Sequence, residues 1–213
     1  MSKRSGAALR AVYRKLHRAF GPQGWWPGQT PFEVAIGAIL TQNTAWTNVE
    51  RAITRIKSAR SLSPAALDRL PLARLQEMIR PAGYFRVKAH RLKNFLVFLK
   101  KRGGLAALKK LALAPCRQAL LSVNGIGPET ADSILLYALG KPVFVIDAYT
   151  KRIFSRHGLA RADADYDELQ RFFMDHLPRR ADFFNEYHAL IVRLGKEYCR
   201  KTRPRCAQCP LYE

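Results

Sequence analysis

Apolar residues return at three- and four-residue intervals along almost the whole of this chain, the spacing that lines one face of an α-helix. The pattern predicts helices over about 5–20, 31–41, 45–58, 64–70, 72–80, 86–102, 104–112, 115–122, 128–139, 147–157, 164–176 and 181–198. Glycine and proline fall between these segments. Ser63 places a capping hydroxyl ahead of Pro64, which suits a first helical turn, and Pro31 and Pro128 suit the same position. Only Val143-Phe144-Val145-Ile146 reads as β, and one isolated short run cannot build a sheet. The expected fold class is all-α. With no internal repeat and no low-complexity linker, a length of 213 residues suits one compact unit or two small helical lobes.

Charge narrows the choice of partner. Lys and Arg total 37 against 16 Asp and Glu, a formal net charge of +21, which points to a polyanion. A 48% hydrophobic composition with 10% aromatics argues for a real core and against a solvated basic tail. The basic residues cluster at Lys3 to Arg18, Arg86 to Arg102, Lys151 to Arg156 and Arg193 to Arg205, as expected of a folded protein with a basic face. No apolar stretch reaches the roughly 20 residues needed to cross a bilayer, and no export signal opens the chain. Cys116 stands alone while Cys199, Cys206 and Cys209 crowd together, a pattern closer to a metal site than to a disulfide framework. The expectation is an intracellular, nucleoid-associated protein with no membrane partner.

Two segments carry candidate chemistry. In Leu121-Ser122-Val123-Asn124-Gly125-Ile126-Gly127-Pro128-Glu129-Thr130-Ala131, two glycines flank one apolar residue between helical patterns. Such a turn can aim backbone N–H groups at an anion, or it can simply join two helices. Asp147 follows 20 residues after Gly127, at the end of the apolar run. It can serve as a catalytic carboxylate, cap the next helix, or do both.

In this order and spacing, these segments resemble the hairpin and the catalytic-aspartate segment of the helix-hairpin-helix DNA glycosylases of the endonuclease III superfamily. Ile39-Leu40-Thr41-Gln42-Asn43-Thr44 resembles the polar stretch those enzymes push into the duplex, and Gly83-Tyr84-Phe85-Arg86-Val87-Lys88-Ala89 another signature turn. The resemblance covers roughly residues 30–209. It implies two helical lobes, a six-helix barrel with the helix-hairpin-helix over 25–140 and a second lobe from 1–24 with 141–213, and an active site in the cleft between them. It further implies DNA contacts from Gln42, Asn43, Asn124, Gly125, Ile126, Gly127 and Thr130, with Tyr149, Lys151 and Arg152 placed for phosphate.

A glycosylase must rotate its nucleotide out of the stack, at a cost of a few kcal/mol, and fill the gap. Gln42 and Asn43 can replace lost base-pair hydrogen bonds, or can merely end a helix. Asp147 would stabilise the positive charge that develops on the sugar. Superfamily members that form a Schiff base and nick the strand usually carry lysine at the position of Glu129. A carboxylate cannot form an imine, so a monofunctional, water-using enzyme is implied, unless Glu129 only complements its helix dipole. Trp25-Trp26-Pro27 and Trp46 resemble the 3-methyladenine DNA glycosylase branch, whose cationic substrates suit aromatic faces. Lys196 could face the same pocket, and Glu129 would favour a cationic base. Tryptophan is as often packing, above all Trp46 at helical spacing from Val49 and Ile53. His157 and His188 read as packing or hydrogen-bonding residues.

Cys199, Cys206 and Cys209 resemble the first three ligands of the superfamily's 4Fe-4S cluster. The fourth would fall at position 215, beyond Glu213, which leaves a chain cut just short of it, another fourth ligand, a zinc site, or a loop that binds nothing. The expected protein is a monomeric DNA glycosylase excising alkylated purines from double-stranded DNA. The alternatives are an endonuclease III-like enzyme for oxidised or mismatched pyrimidines, and a non-catalytic DNA-binding module.

Overall fold

The computed structural model describes residues 3–25 and 28–212, and among these residues it contains helices and turns but no strand. In chain order the α-helices are α1 (Lys3–Phe20), α2 (Pro31–Leu40), α3 (Trp46–Ser58), α4 (Pro64–Arg69), α5 (Leu72–Met78), α6 (Phe85–Arg102), α7 (Gly104–Lys110), α8 (Leu113–Leu121), α9 (Pro128–Ser133), α10 (Ala148–Arg156), α11 (Tyr166–His176) and α12 (Ala181–Glu197). A π turn over Ile134–Ala138 continues α9, and short 3₁₀ turns occupy Arg80–Ala82 and Cys206–Gln208. The chain forms two compact units: one of residues 1–25 with 141–213, the other of residues 26–140.

The second unit, α2 to α9, is built around α2. Every residue of that helix from Phe32 to Leu40 is buried, and it packs against α3, α6, α9 and the π turn. Its start is closed by side chains: Thr30, the cap residue, accepts from Glu33 N at 3.1 Å, and Glu33 in turn accepts from Gln29 N at 3.2 Å. Its end is closed by Lys88, 1% exposed, whose Nζ donates to Leu40 O at 2.8 Å and Ala82 O at 2.7 Å. Burial, with Arg91 nearby, lowers the Lys88 pKa from the ordinary 10.5 to about 8.

The unit containing α1 and α10 to α12 has an aromatic core. Phe144 and Phe173 stack with centroids 4.1 Å apart, and Phe184 and Tyr187 meet Phe144 edge-on. Tyr187, fully buried, donates to Leu9 O at 2.7 Å and so ties α12 to α1. The segment read as β, Val143 to Ile146, is extended and buried but pairs with no strand. Side chains satisfy its backbone instead: Gln170 Nε2 donates to Phe144 O at 2.7 Å and Ile146 N donates to Tyr166 OH at 3.4 Å. The run is apolar because it threads the core and delivers Asp147 to the start of α10.

Candidate active site

The hairpin joins α8 to α9. Arg117 on α8 makes a two-pronged ion pair with buried Asp132 on α9, at 2.8 and 3.1 Å, which fixes the angle between the helices. Ile126 is 4% exposed and its N–H is spent on Val123 O at 3.0 Å. It therefore anchors the turn to the core, leaving the flanking glycines and Asn124 at the surface. The glycines differ. Gly125 has φ +93°, and a Cβ there would collide with the Arg91 side chain. Gly127 has extended φ −90° and open space where a Cβ would stand, so its own fold does not demand glycine. It is the cap residue of α9 and makes no side-chain cap bond. Glu129 is exposed in the first turn.

The polar stretch after α2 is tied to this hairpin. Gln42 Nε2 donates to Gly125 O at 3.1 Å and Thr130 Oγ1 at 2.8 Å, while its Oε1 accepts from Arg91 Nη1. Gln42 is thus held, whereas Asn43 is exposed on left-handed backbone at φ 52°. Tyr84, also left-handed at φ 46°, is 71% exposed ahead of α6. Trp46 packs its ring 3.1 Å from the Cβ position of Gly37 and donates Nε1 to Glu50 at 2.8 Å, which gives it a place in the α2–α3 contact.

In the other unit, Asp147 caps α10. Its Oδ1 accepts from Thr150 N at 2.7 Å and Thr150 Oγ1 at 2.8 Å. Its Oδ2 lies 3.5 Å from His188 Nε2 on α12, and the side chain keeps 12% exposure. Burial pushes the Asp147 carboxyl up, but facing His188 and the Thr150 hydrogen bonds together hold it below its ordinary value. The carboxylate is therefore stable as an anion. Trp25 stacks on His188 with centroids 5.7 Å apart and an interplanar angle of 28°. Trp25, His188 and Asp147 form one cluster; Trp26 and Pro27 lie outside the described residues. Lys196 is exposed in the last turn of α12.

Residues 36–179 match the HhH-GPD superfamily of base excision DNA repair proteins. The chain belongs to that superfamily. Over 206 residues it is 47% identical to a protein of Methanocaldococcus jannaschii provisionally named a DNA repair glycosylase, covering 95% of this chain and 93% of that one. It is 27% identical over 182 residues to endonuclease III of Bacillus subtilis, covering 85% and 78%. The crystal structure of H. pylori 3-methyladenine DNA glycosylase bound to 1,N6-ethenoadenine matches with a TM-score of 0.77 and 30% identity, covering 91% of this chain and 97% of that one. A non-covalent endonuclease III–DNA complex matches at a TM-score of 0.82 with 22% identity, covering 99% and 93%, and so shares the fold.

In this HhH-GPD protein the residues expected to touch phosphate after Asp147 make internal contacts. Tyr149 fills a notch left by Gly195, where a Cβ would collide with its ring, and Arg152 lies over that ring at 5.0 Å. Arg152 also donates to Cys199 O at 2.8 Å and Gly195 O at 3.3 Å, and Lys151 reaches Ala164 O at 3.4 Å. Arg156 grips the same loop through Arg200 O at 2.7 Å and Lys201 O at 3.1 Å. Cys199 is buried, Cys209 half-buried and Cys206 exposed. Burial, and the nearby Cys199 and Cys206, raise the Cys209 pKa. Among the described residues no three His, Cys, Asp or Glu side chains are gathered as a metal ligand set. No helix among them is long and apolar enough to cross a membrane.

Two participants were missed from sequence. Thr150 stands three residues after Asp147, the capping spacing, and could have been read. Arg91, which holds Gln42, lies in a run of basic residues that offers no local signal.

Proposed function

We propose that this repair protein is a monomeric, monofunctional DNA glycosylase that hydrolyses the N-glycosyl bond of alkylated purines in double-stranded DNA. The observation that carries the reading is the Asp147 carboxylate, held anionic and partly exposed at the start of α10 beside an aromatic ring. As the sugar carbon turns cationic, this charge stabilises it. The C1′–N bond breaks with its electron pair leaving on the base, water oxygen bonds to C1′, and the water's proton passes to the carboxylate or to solvent. A ring-alkylated purine leaves as a neutral base, which lessens the need for a general acid.

Glu129 supports hydrolysis over strand nicking, since it offers no amine at the hairpin. The match to the 3-methyladenine enzyme, with Trp25 in the Asp147 cluster, supports the alkylpurine class. The Gly125-Ile126-Gly127 turn, with Gly127 exposed, would hold backbone phosphate, and exposed Asn43 and Tyr84 would fill or flank the vacated base position. The net charge of +21 implies strongly salt-dependent binding. A 4Fe-4S cluster on Cys199, Cys206 and Cys209 would need a further ligand; iron and sulfide content of the purified protein tests it, and no step depends on it.

The decisive assay incubates the protein with methylated DNA and with duplexes bearing oxidised or mismatched pyrimidines, measuring free base separately from strand breaks. Release of methylated purines without nicking is expected. Release of pyrimidines alone overturns the substrate class, and a borohydride-trapped protein–DNA adduct overturns the monofunctional assignment.

A further inference from the structure

The two oxygens of Asp147 have different occupations. Oδ1 takes both Thr150 donors, so its lone pairs are spent on the helix cap. Oδ2 faces outward from that cap toward His188 Nε2 at 3.5 Å, beyond the usual length of an N–H···O bond. At this separation the imidazole biases the direction of the oxygen, and the carboxylate keeps 12% exposure.

His188 is itself held still. It is 4% exposed, stacked under Trp25 at 28°, and met edge-on by Phe144 at 6.4 Å and 86°. Phe144 belongs to the buried run that carries Asp147, so the same core that places the carboxylate also orients the ring facing it. On α12, His188 sits among Tyr187, Ala189, Leu190 and Ile191, all of them buried.

We infer that His188 is a positioning residue for base excision, fixing the orientation of Asp147 Oδ2 while Thr150 fixes Oδ1. This rests on the glycosylase reading above. His188 acts through Asp147 and not on the substrate, so its effect falls on the cleavage step and leaves DNA binding alone. Burial alone would drive Asp147 toward its protonated form; with the imidazole removed, that tendency is less opposed.

The test uses the full chain with His188→Phe, which keeps a flat ring for Trp25 but removes the nitrogen, and His188→Gln, which restores a donor near the Nε2 position. Base release from methylated duplex is followed under single turnover beside DNA affinity, with Asp147→Asn as reference. His188→Phe should slow release by roughly tenfold or more with affinity within about twofold, and His188→Gln should recover to within about threefold of the parent. Should His188→Phe not fold, the smaller His188→Leu carries the same comparison. Carbon-13 NMR of the Asp147 carboxyl gives a second reading independent of turnover: its titration should move upward in His188→Phe. Parental cleavage rates in His188→Phe, equal slowing in Phe and Gln variants, or an unmoved Asp147 titration each overturn the inference. Undiminished release by Asp147→Asn overturns the glycosylase mechanism instead.

Discussion

Two helix starts in this protein solve the same problem in opposite ways. At α10 the cap is Asp147, which bonds Thr150 N at 2.7 Å. At α9 the cap is Gly127, which has no side chain to offer and makes no such bond. Every helix begins with backbone N–H groups that lack an internal partner. The α10 start satisfies one of them from within and keeps a second carboxylate oxygen for the proposed chemistry. The α9 start has no side-chain cap, in keeping with the proposed role of gripping an outside anion. On the proposed reading, one terminus presents a negative charge and the other receives one.

The largest effect should come from separating the two duties of Asp147. Asparagine caps a helix as well as aspartate does, so Asp147→Asn should leave the thermal transition close to the parent while base release falls by on the order of 100-fold or more. Asp147→Ala should lose the same activity and about 1 kcal/mol of stability as well. The sign of the pH effect follows from the lowered pKa of the folded carboxyl. Its contribution to stability is fully present above the ordinary carboxylate value of 3.8 and is lost as pH falls through the lower folded value. Asp147→Asn should remove that part of the acid unfolding curve. Asparagine and alanine variants equal in stability would mean that Asp147 does no capping.

The glycine pair sharpens the other terminus. Gly125→Ala forces a side chain onto left-handed backbone and against Arg91, and should cost roughly 1–3 kcal/mol in denaturant unfolding. Gly127→Ala meets neither obstacle, so stability should stay within about 0.5 kcal/mol while affinity for duplex DNA weakens several-fold. Unweakened binding by Gly127→Ala would remove the argument that its openness serves a ligand.

The helices were legible in the sequence because their stabilising contacts follow a local period, and α12 or α6 can be read from its own buried positions. Asp147 was legible too, standing where an apolar run stops. Val143 to Ile146 was misread as β because its backbone is satisfied by Gln170 and Tyr166, partners that leave no mark on the run itself. His188 was read as a packing or hydrogen-bonding residue. Its place beside Asp147 depends on how α12 lies against α10, which no local pattern records. The same holds for Arg152, whose bonds to the carbonyls of Gly195 and Cys199 leave no local mark in the sequence. A basic residue looks alike in sequence whether it faces solvent or a chain reversal.

Lys88 extends the contrast to a helix end, where a buried cation closes the α2 carbonyl at Leu40. Lys88→Met leaves two buried carbonyls without their donor and should cost about 2 kcal/mol. Because the folded pKa is lowered to about 8 from 10.5, the folded state binds fewer protons than the unfolded chain between those values. Stability of the parent should therefore rise with pH across that window, and the slope should vanish in Lys88→Met. A slope that persists would assign the pH dependence to another group.

The smallest effect is expected at Glu129, exposed in the first turn of α9. Glu129→Lys sets a cation where the helix dipole favours an anion, so stability should drop by about 0.3–1 kcal/mol. Binding should move the other way. If this turn approaches a phosphate, the new charge displaces one more counterion and the log-affinity against log-salt slope steepens by about 0.9. The substitution also supplies an amine where the proposed hydrolytic enzyme has none, so borohydride should trap a covalent adduct with lesion DNA if the side chain reaches the sugar carbon. A steeper slope without trapping would place the turn at the backbone but away from C1′, whereas an unchanged slope would mean that the uncapped helix start does not meet DNA.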